Sequence, residues 1–293
     1  MPNVHIVTDS CATFANKQFT RQYPVTVVPS TVRIGDKTYR EGVDLPTADL
    51  LDLIRRHGSP PQIMPPSVDD FVQAYAAISK DYDTIISVHA SREIYPMWGR
   101  ARIAAQQITT HSQIDVIDTQ TLCAAQGMLV KVGLQAVEDG ADFEGIVRAV
   151  RGAVDRVYAM YYVDQINPLL KNSIMSRSHT VLGTMLGVKP FLAVEEGRLI
   201  PVEKVRSGAQ ALEHLIDFAL EFIDLEDSAI VQSQTHPTEQ TRALQERFTV
   251  EFPGQPFLHT TYGPSLAALI GARATGVVIL EKETDGSLDD DYD

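Results

Sequence analysis

Short apolar runs rich in β-branched residues alternate along the chain with longer amphipathic stretches, the pattern of an α/β protein. Val4–Thr8 predicts a first strand and Asn16–Tyr23 a helix. Pro24–Ile34 and Lys37–Tyr39 predict strands about a Gly35-Asp36 turn. Thr47 reads as the cap of a helix that Gly58 ends, and Ser67 as the N-cap of one whose Phe71, Ala74, Tyr75 and Ile78 share a face. Between these two helices the stretch PPQIMPPSVDDF, Pro60–Phe71, reads as a solvated connector, yet it places Ile63 and Met64 between proline pairs. Thr84–Val88 and Ile114–Ile117 predict further strands, with helices from Met97, from Thr121 to Gly140, and on to Arg156.

From Val157 the texture changes. Val157–Val163 is strand-like, and Lys189–Val194 with Leu199–Arg206 predicts a hairpin about Glu196-Gly197. Ser207 starts a helix; Ser228–Ser233, Thr238–Phe248, Pro256–His259, Ser265–Ala272 and Thr275–Glu281 continue the alternation. The expected architecture is two α/β domains: residues 1–156 with a parallel sheet, and 157–283 with a mixed sheet. An acidic tail, 284–293, is expected to be disordered.

The chain of 293 residues carries 25 Lys and Arg against 38 Asp and Glu, a formal charge of −13. Such a surface repels phosphate backbones, which argues against nucleic acid as a partner. No apolar run approaches the roughly 20 residues of a membrane span. MPNVHIVTD has no basic leader and enters a strand at once, so a cytoplasmic protein is expected. Cys11 and Cys123 read as reduced, packed thiols.

In open parallel sheets ligands sit beyond the carboxyl ends of the strands. Five predicted exits carry small polar residues: Thr8-Asp9-Ser10, His89-Ala90-Ser91, Asp118-Thr119, Gln234-Thr235-His236 and His259-Thr260-Thr261. One exit means only a turn or a cap; five suggest a shared crevice. Ser10 beside Asp9, with His89 near, would suit a nucleophile, but GxSxG is missing. No HExxH, GxxxxGK[ST] or GxGxxG occurs, so neither a metal site nor a nucleotide cradle is expected. His5 and Trp98 read as core or edge residues.

Six ordered segments carry a resemblance over nearly the whole chain: IVTDS; VPSTVRIGDKTYREGVD; PxxxxPSxxxF at Pro61–Phe71; VIDTQTLCAAQG; LGVKPFLAVEEGRLIPVEKVR; and TTYGPSLAALIG. The set resembles the DegV family, also called FakB-type fatty-acid-binding proteins. The resemblance implies two α/β domains closing over an acyl tunnel. It also implies a non-enzymatic carrier that presents a long-chain fatty acid to a separate kinase, with no cofactor of its own. Lys204 and Arg206 fall in a segment that bears basic residues towards the kinase in the family.

Four head-group positions depart from the family pattern. Ile63 stands for a threonine, Tyr95 for a serine, Thr261 for a histidine, and Ile174 for an arginine, with Arg177 one helical turn on. About 14 buried methylenes at about 0.8 kcal/mol each supply roughly 11 kcal/mol of gross driving force, whereas a carboxylate buried without donors forfeits several of those. An apolar tunnel therefore survives these changes more readily than the clamp. The expected head-group region is Asp9, Ser10, Ser91, Tyr95, His259, Thr261 and Arg177, with Ile63 and Met64 facing the ligand. Two alternatives stay open: an enzyme acting on a small polar or phosphorylated substrate in the same crevice, and a relative with altered or lost ligand binding.

Overall fold

A computed structural model describes residues 3–164, 166–174 and 188–283. Arg177 and the acidic tail lie outside the described residues. Two large sheets and one small one organise the rest. The first is a parallel sheet in the order β2-β1-β6-β7, where β1 is Val4–Asp9, β2 Val25–Val28, β6 Thr84–His89 and β7 Gln113–Asp118. Every residue of β6 is buried, as expected of a central parallel strand covered on both faces.

The second sheet has six strands in the order β10-β9-β8-β13-β11-β12: β8 Val157–Val163, β9 Lys189–Glu195, β10 Arg198–Val205, β11 Leu225–Gln232, β12 Leu258–Thr261 and β13 Ala274–Glu281. Only β11 and β12 pair in parallel. Alternate residues divide between its faces. Tyr161, Val231 and Val278 join a large core shared with the first sheet, while Tyr162, Ile230 and Val277 join a second core with the helices Gly208–Leu220 and Glu239–Glu251. The 16-residue helix Cys123–Glu138, named α5 below, touches β1 and β6 on one side and β8, β11 and β13 on the other. Buried on both sides, it is apolar nearly all round rather than striped.

The third sheet corrects the reading of Pro60–Phe71 as a connector. Gln62–Met64 is a strand, β5, paired antiparallel to β3 (Thr31–Ile34), which pairs on its other edge with β4 (Lys37–Arg40). The flanking prolines lack N–H donors and confine the strand to three residues at the sheet edge. Pro29-Ser30 likewise splits the predicted run Pro24–Ile34 into β2 and β3. The predicted helix Asn16–Tyr23 shrinks to Phe19–Gln22. Thr47 is the first residue of its helix rather than its cap; Pro46 precedes it and no side chain closes that end, while Gly58 ends it in the left-handed region at φ 73°. Ser67 caps as predicted, its hydroxyl accepting from the Asp70 amide while the Asp70 carboxylate accepts from the Ser67 amide. β12 runs two residues later than predicted, so His259, Thr260 and Thr261 lie within a strand, not at its exit.

Candidate functional site

The carboxyl end of β1 delivers Asp9 into the interior, where it is fully buried. Its carboxylate accepts from His89 Nδ1 at 2.9 Å, from the amides of Cys11 and Ala90 at 2.9 and 3.1 Å, and from Gln126 Nε2 at 3.3 Å. Burial pushes the Asp9 pKa up, but the hydrogen bond and charge of His89 and the two amides outweigh it, and the group is held below the carboxylate range. On the far side of the imidazole, Ser87 Oγ lies 2.7 Å from Nε2 and Tyr75 Oη lies 2.7 Å from Ser87 Oγ. With the imidazole charged, both nitrogens donate, Nδ1 to Asp9 and Nε2 to Ser87, and Ser87 donates on to Tyr75; with it neutral, Nδ1 still donates to Asp9 and the chain reverses, Tyr75 donating to Ser87 and Ser87 to Nε2.

Serine, histidine and aspartate thus stand in hydrolase order, yet the array is sealed. Ser87, His89 and Asp9 each have no exposed surface, and Ser87 sits mid-strand with its oxygen engaged by Tyr75. Ser10, the serine whose place beside Asp9 would suit a nucleophile, instead accepts from the Ser30 amide at 3.0 Å. The array carries the signature of a structural network that anchors β1 to β6, with the polar side-chain atoms of Asp9, Ser87 and His89 all engaged.

A second acid lies beside it. Glu41, from the loop after β4, is 5% exposed; its amide donates to the Ser30 carbonyl, and its Oε2 has no partner. Burial raises its pKa to about 8, against the Ser10 hydroxyl, which lowers it, and with the Asp9 charge, which raises it. Gly263 makes room for this carboxyl, since a Cβ there would sit 2.6 Å from Glu41 Oε1. Ser30 Oγ and Ser265 Oγ are also buried and without partners. Burial, joined by the charges of Cys11, Glu41 and Asp9, pushes the Tyr95 phenol far up, so it serves as a neutral donor, to the Ser265 carbonyl at 2.9 Å.

The expected head-group residues fall into three neighbourhoods. Asp9, Ser10 and Tyr95 share the one just described. Ser91 is buried, and its hydroxyl donates to the Gly197 carbonyl at 2.7 Å, docking the β9–β10 hairpin tip on the β6 exit, with Arg198 paired to Glu93 at 2.6 Å. His259 and Thr261 stand on β12: Thr261 reaches the Gln234 carbonyl at 3.4 Å, His259 Nε2 has no partner, and burial lowers the His259 pKa. Ile63 packs against the large core, and β5 that bears it touches the helix Pro264–Ile270. Met64 lines a cavity of about 550 Å³ with Val28, Arg40, Pro66 and Gln73. Ile174 packs on the large core. Lys204 and Arg206 are exposed. The acyl tunnel is not shown among the described residues.

Several of these groups escape a reading of the sequence. Glu41 sits in YREGVD, which looks like a solvated turn, and nothing in its spacing marks it as buried. Gln126, whose Nε2 also donates to Thr8 Oγ1 at 3.0 Å, did carry a signal: it is the lone polar side chain in the apolar run CAAQGMLV. His5 is half-buried with its Nδ1 left without a partner, so it is not the fully satisfied histidine expected, and Trp98 joins neither core cluster. The His5 Nε2 meets Thr26 Oγ1 at 2.8 Å, and Trp98 donates to the Val116 carbonyl between Arg92 and Arg102. Among the described residues no group of three or more His, Cys, Asp or Glu is placed to hold a metal ion, and no helix is long and apolar enough to cross a membrane.

A family model described as "Uncharacterised protein, DegV family" matches residues 3–282. The chain belongs to the DegV family. A DegV domain-containing protein of Streptomyces coelicolor is 29% identical over 282 residues, covering 94% of this chain and 98% of that protein. Solved DegV structures share the fold. A fatty acid binding DegV family protein from Streptococcus agalactiae superposes with a TM-score of 0.85 at 23% identity, over 97% of this chain and all of the other. The fatty acid kinase B3 protein of Streptococcus pneumoniae, loaded with linoleic acid, gives a TM-score of 0.80 at 16% identity, over 96% of this chain and all of the other.

Proposed function

We propose that this DegV-family chain is a cytoplasmic carrier. It holds the acyl chain of a long-chain fatty acid or related lipid between residues 1–156 and 157–283, and presents the head group to a separate fatty acid kinase. It performs no chemistry itself and uses no cofactor. The observation that carries this reading is a fold match over nearly the full length to proteins that are described as fatty acid binding, one of them solved with linoleic acid. The sealed Ser87–His89–Asp9 array supports the non-catalytic reading, because no substrate atom reaches Ser87. The exposed Lys204 and Arg206 on and beside β10 would face the kinase, a local basic feature on an acidic protein.

A relative that has closed its ligand site is the second reading. It is favoured by the half-buried Tyr95 ring, tied to the Ser265 carbonyl and packed on the large core, and by Met97, which has no exposed surface. Mass spectrometry of an organic extract from denatured, freshly purified protein separates the two. Stoichiometric fatty acid supports the carrier, and an empty extract from protein that also takes up no added oleate overturns it.

A further inference from the structure

Of the nine buried polar side-chain atoms without a partner among the described residues, three come from three separate segments that meet: Ser30 Oγ after β2, Glu41 Oε2 after β4, and Ser265 Oγ in the helix Pro264–Ile270. Folded proteins satisfy almost all buried polar side-chain atoms, and each one left open is costly. The three also belong to one locality. Ser30 bonds Glu41 through its carbonyl and Ser10 through its amide. Gly263, two residues before Ser265, leaves the space that the Glu41 carboxyl fills, and Cys11 lies beside both Ser265 and Glu41. Ser30 stands at the exit of β2 from the parallel sheet, beside Asp9 and Ser10 at the exit of β1, and the other two groups converge on that end of the sheet, where a ligand's polar end belongs.

The chemistry of the set indicates what it takes. Two hydroxyls are free to donate, and Glu41, kept protonated at neutral pH by burial, is a third O–H donor. Other titratable groups facing Glu41 are Asp9 and Cys11 at the end of β1, Tyr95 in the loop after β6, and Cys123 at the start of α5. Cys11, Tyr95 and Cys123 are neutral, because burial pushes each pKa up, that of Cys123 to about 12. Asp9 is the sole anion among them, and its charge is taken up by His89 and two amides.

Resting on the carrier reading above, we infer that Ser30, Glu41 and Ser265 form a cradle of O–H donors that receives the carboxylate of the acyl ligand. The cradle supplies the donors that Ile63 and the committed Tyr95 and Ser91 hydroxyls do not. β5, which bears Ile63, lies against the helix that bears Ser265.

The test uses the delipidated full chain and oleate, titrated by calorimetry, with Ser30→Ala and Ser265→Ala and with thermal unfolding of the ligand-free proteins. Removing an unsatisfied buried hydroxyl leaves the ligand-free thermal midpoint unchanged or raises it, while losing a hydrogen bond to a charged acceptor lowers oleate affinity about 10- to 100-fold. Glu41→Gln keeps a donor and retains affinity at pH 7. If both serine variants bind oleate as the parent does, or if affinity and the ligand-free midpoint fall together, the cradle is overturned and the carrier reading stands. A parent protein that takes up no oleate overturns both.

Discussion

Glu41→Gln tests the burial of a carboxyl group next to Asp9. In the folded chain Glu41 titrates at about 8 against an ordinary value of 4.5, a rise caused first by burial and then by the Asp9 charge. Below pH 4.5 the group is neutral whether the chain is folded or unfolded, so it contributes its full stability there. Between 4.5 and about 8 the folded chain holds a proton that the unfolded chain has released, and stability falls with rising pH. At about 1.36 kcal/mol per pH unit the loss amounts to about 5 kcal/mol by pH 9. Glutamine has the same shape and does not titrate. Urea unfolding of both proteins at pH 5 and pH 9 should show the substitution relieving most of that loss, with the parent the less stable protein at pH 9. Parallel pH profiles for the two proteins would refute the argument, since they would mean that Glu41 reaches water in the folded state.

Three further outcomes follow from contacts described above. His89→Ala leaves the Asp9 carboxylate buried without its main partner and should cost about 3–5 kcal/mol in urea unfolding at pH 7; a loss under about 1 kcal/mol would show that Gln126 and the amides suffice. Gly197→Ala places a Cβ 2.5 Å from Ser91 Oγ at a φ of 78°, and should lower stability by about 1–3 kcal/mol while exposing the hairpin tip to proteolysis. Lys204→Glu with Arg206→Glu should abolish phosphorylation of bound oleate by a fatty acid kinase that acts on the parent, with oleate affinity unchanged; a kinase rate equal to the parent's would remove both residues from the docking face.

Most elements are legible from periodicity and turn chemistry because their rules are local. The alternation of Val157–Val163, the Glu196-Gly197 turn and the Ser67 capping box each depend on residues a few positions apart. What escapes is decided by distant partners. β5 is a strand because β3 offers it an edge, and Gln62–Met64 by itself is too short and too closely flanked by proline to announce this. The Asp9 site is partly visible, since the polar exits of β1 and β6 suggest a shared crevice, and Asp9 and His89 do meet. Their third partner was not visible: Ser87 lies within β6 rather than at its exit, and an alternating strand gives no sign that an inward serine finds a tyrosine from a helix. Ser91 looked free to hold a ligand for a related reason. Its acceptor, the Gly197 carbonyl, is 106 positions away.

The position of α5 has a consequence for how the molecule comes apart. This helix belongs by sequence to the segment before residue 157, yet it supplies part of the floor under β8, β11 and β13. A fragment beginning at Val157 would present the inner face of its six-stranded sheet, with Tyr161, Val231 and Val278, bare to water. A fragment ending at Arg156 would leave one side of α5 uncovered. Each half is thus an incomplete piece when made separately, prone to self-association, and the two should regain a soluble form when mixed. In the intact chain the shared helix couples the two sheets, so that melting is expected as one transition instead of two.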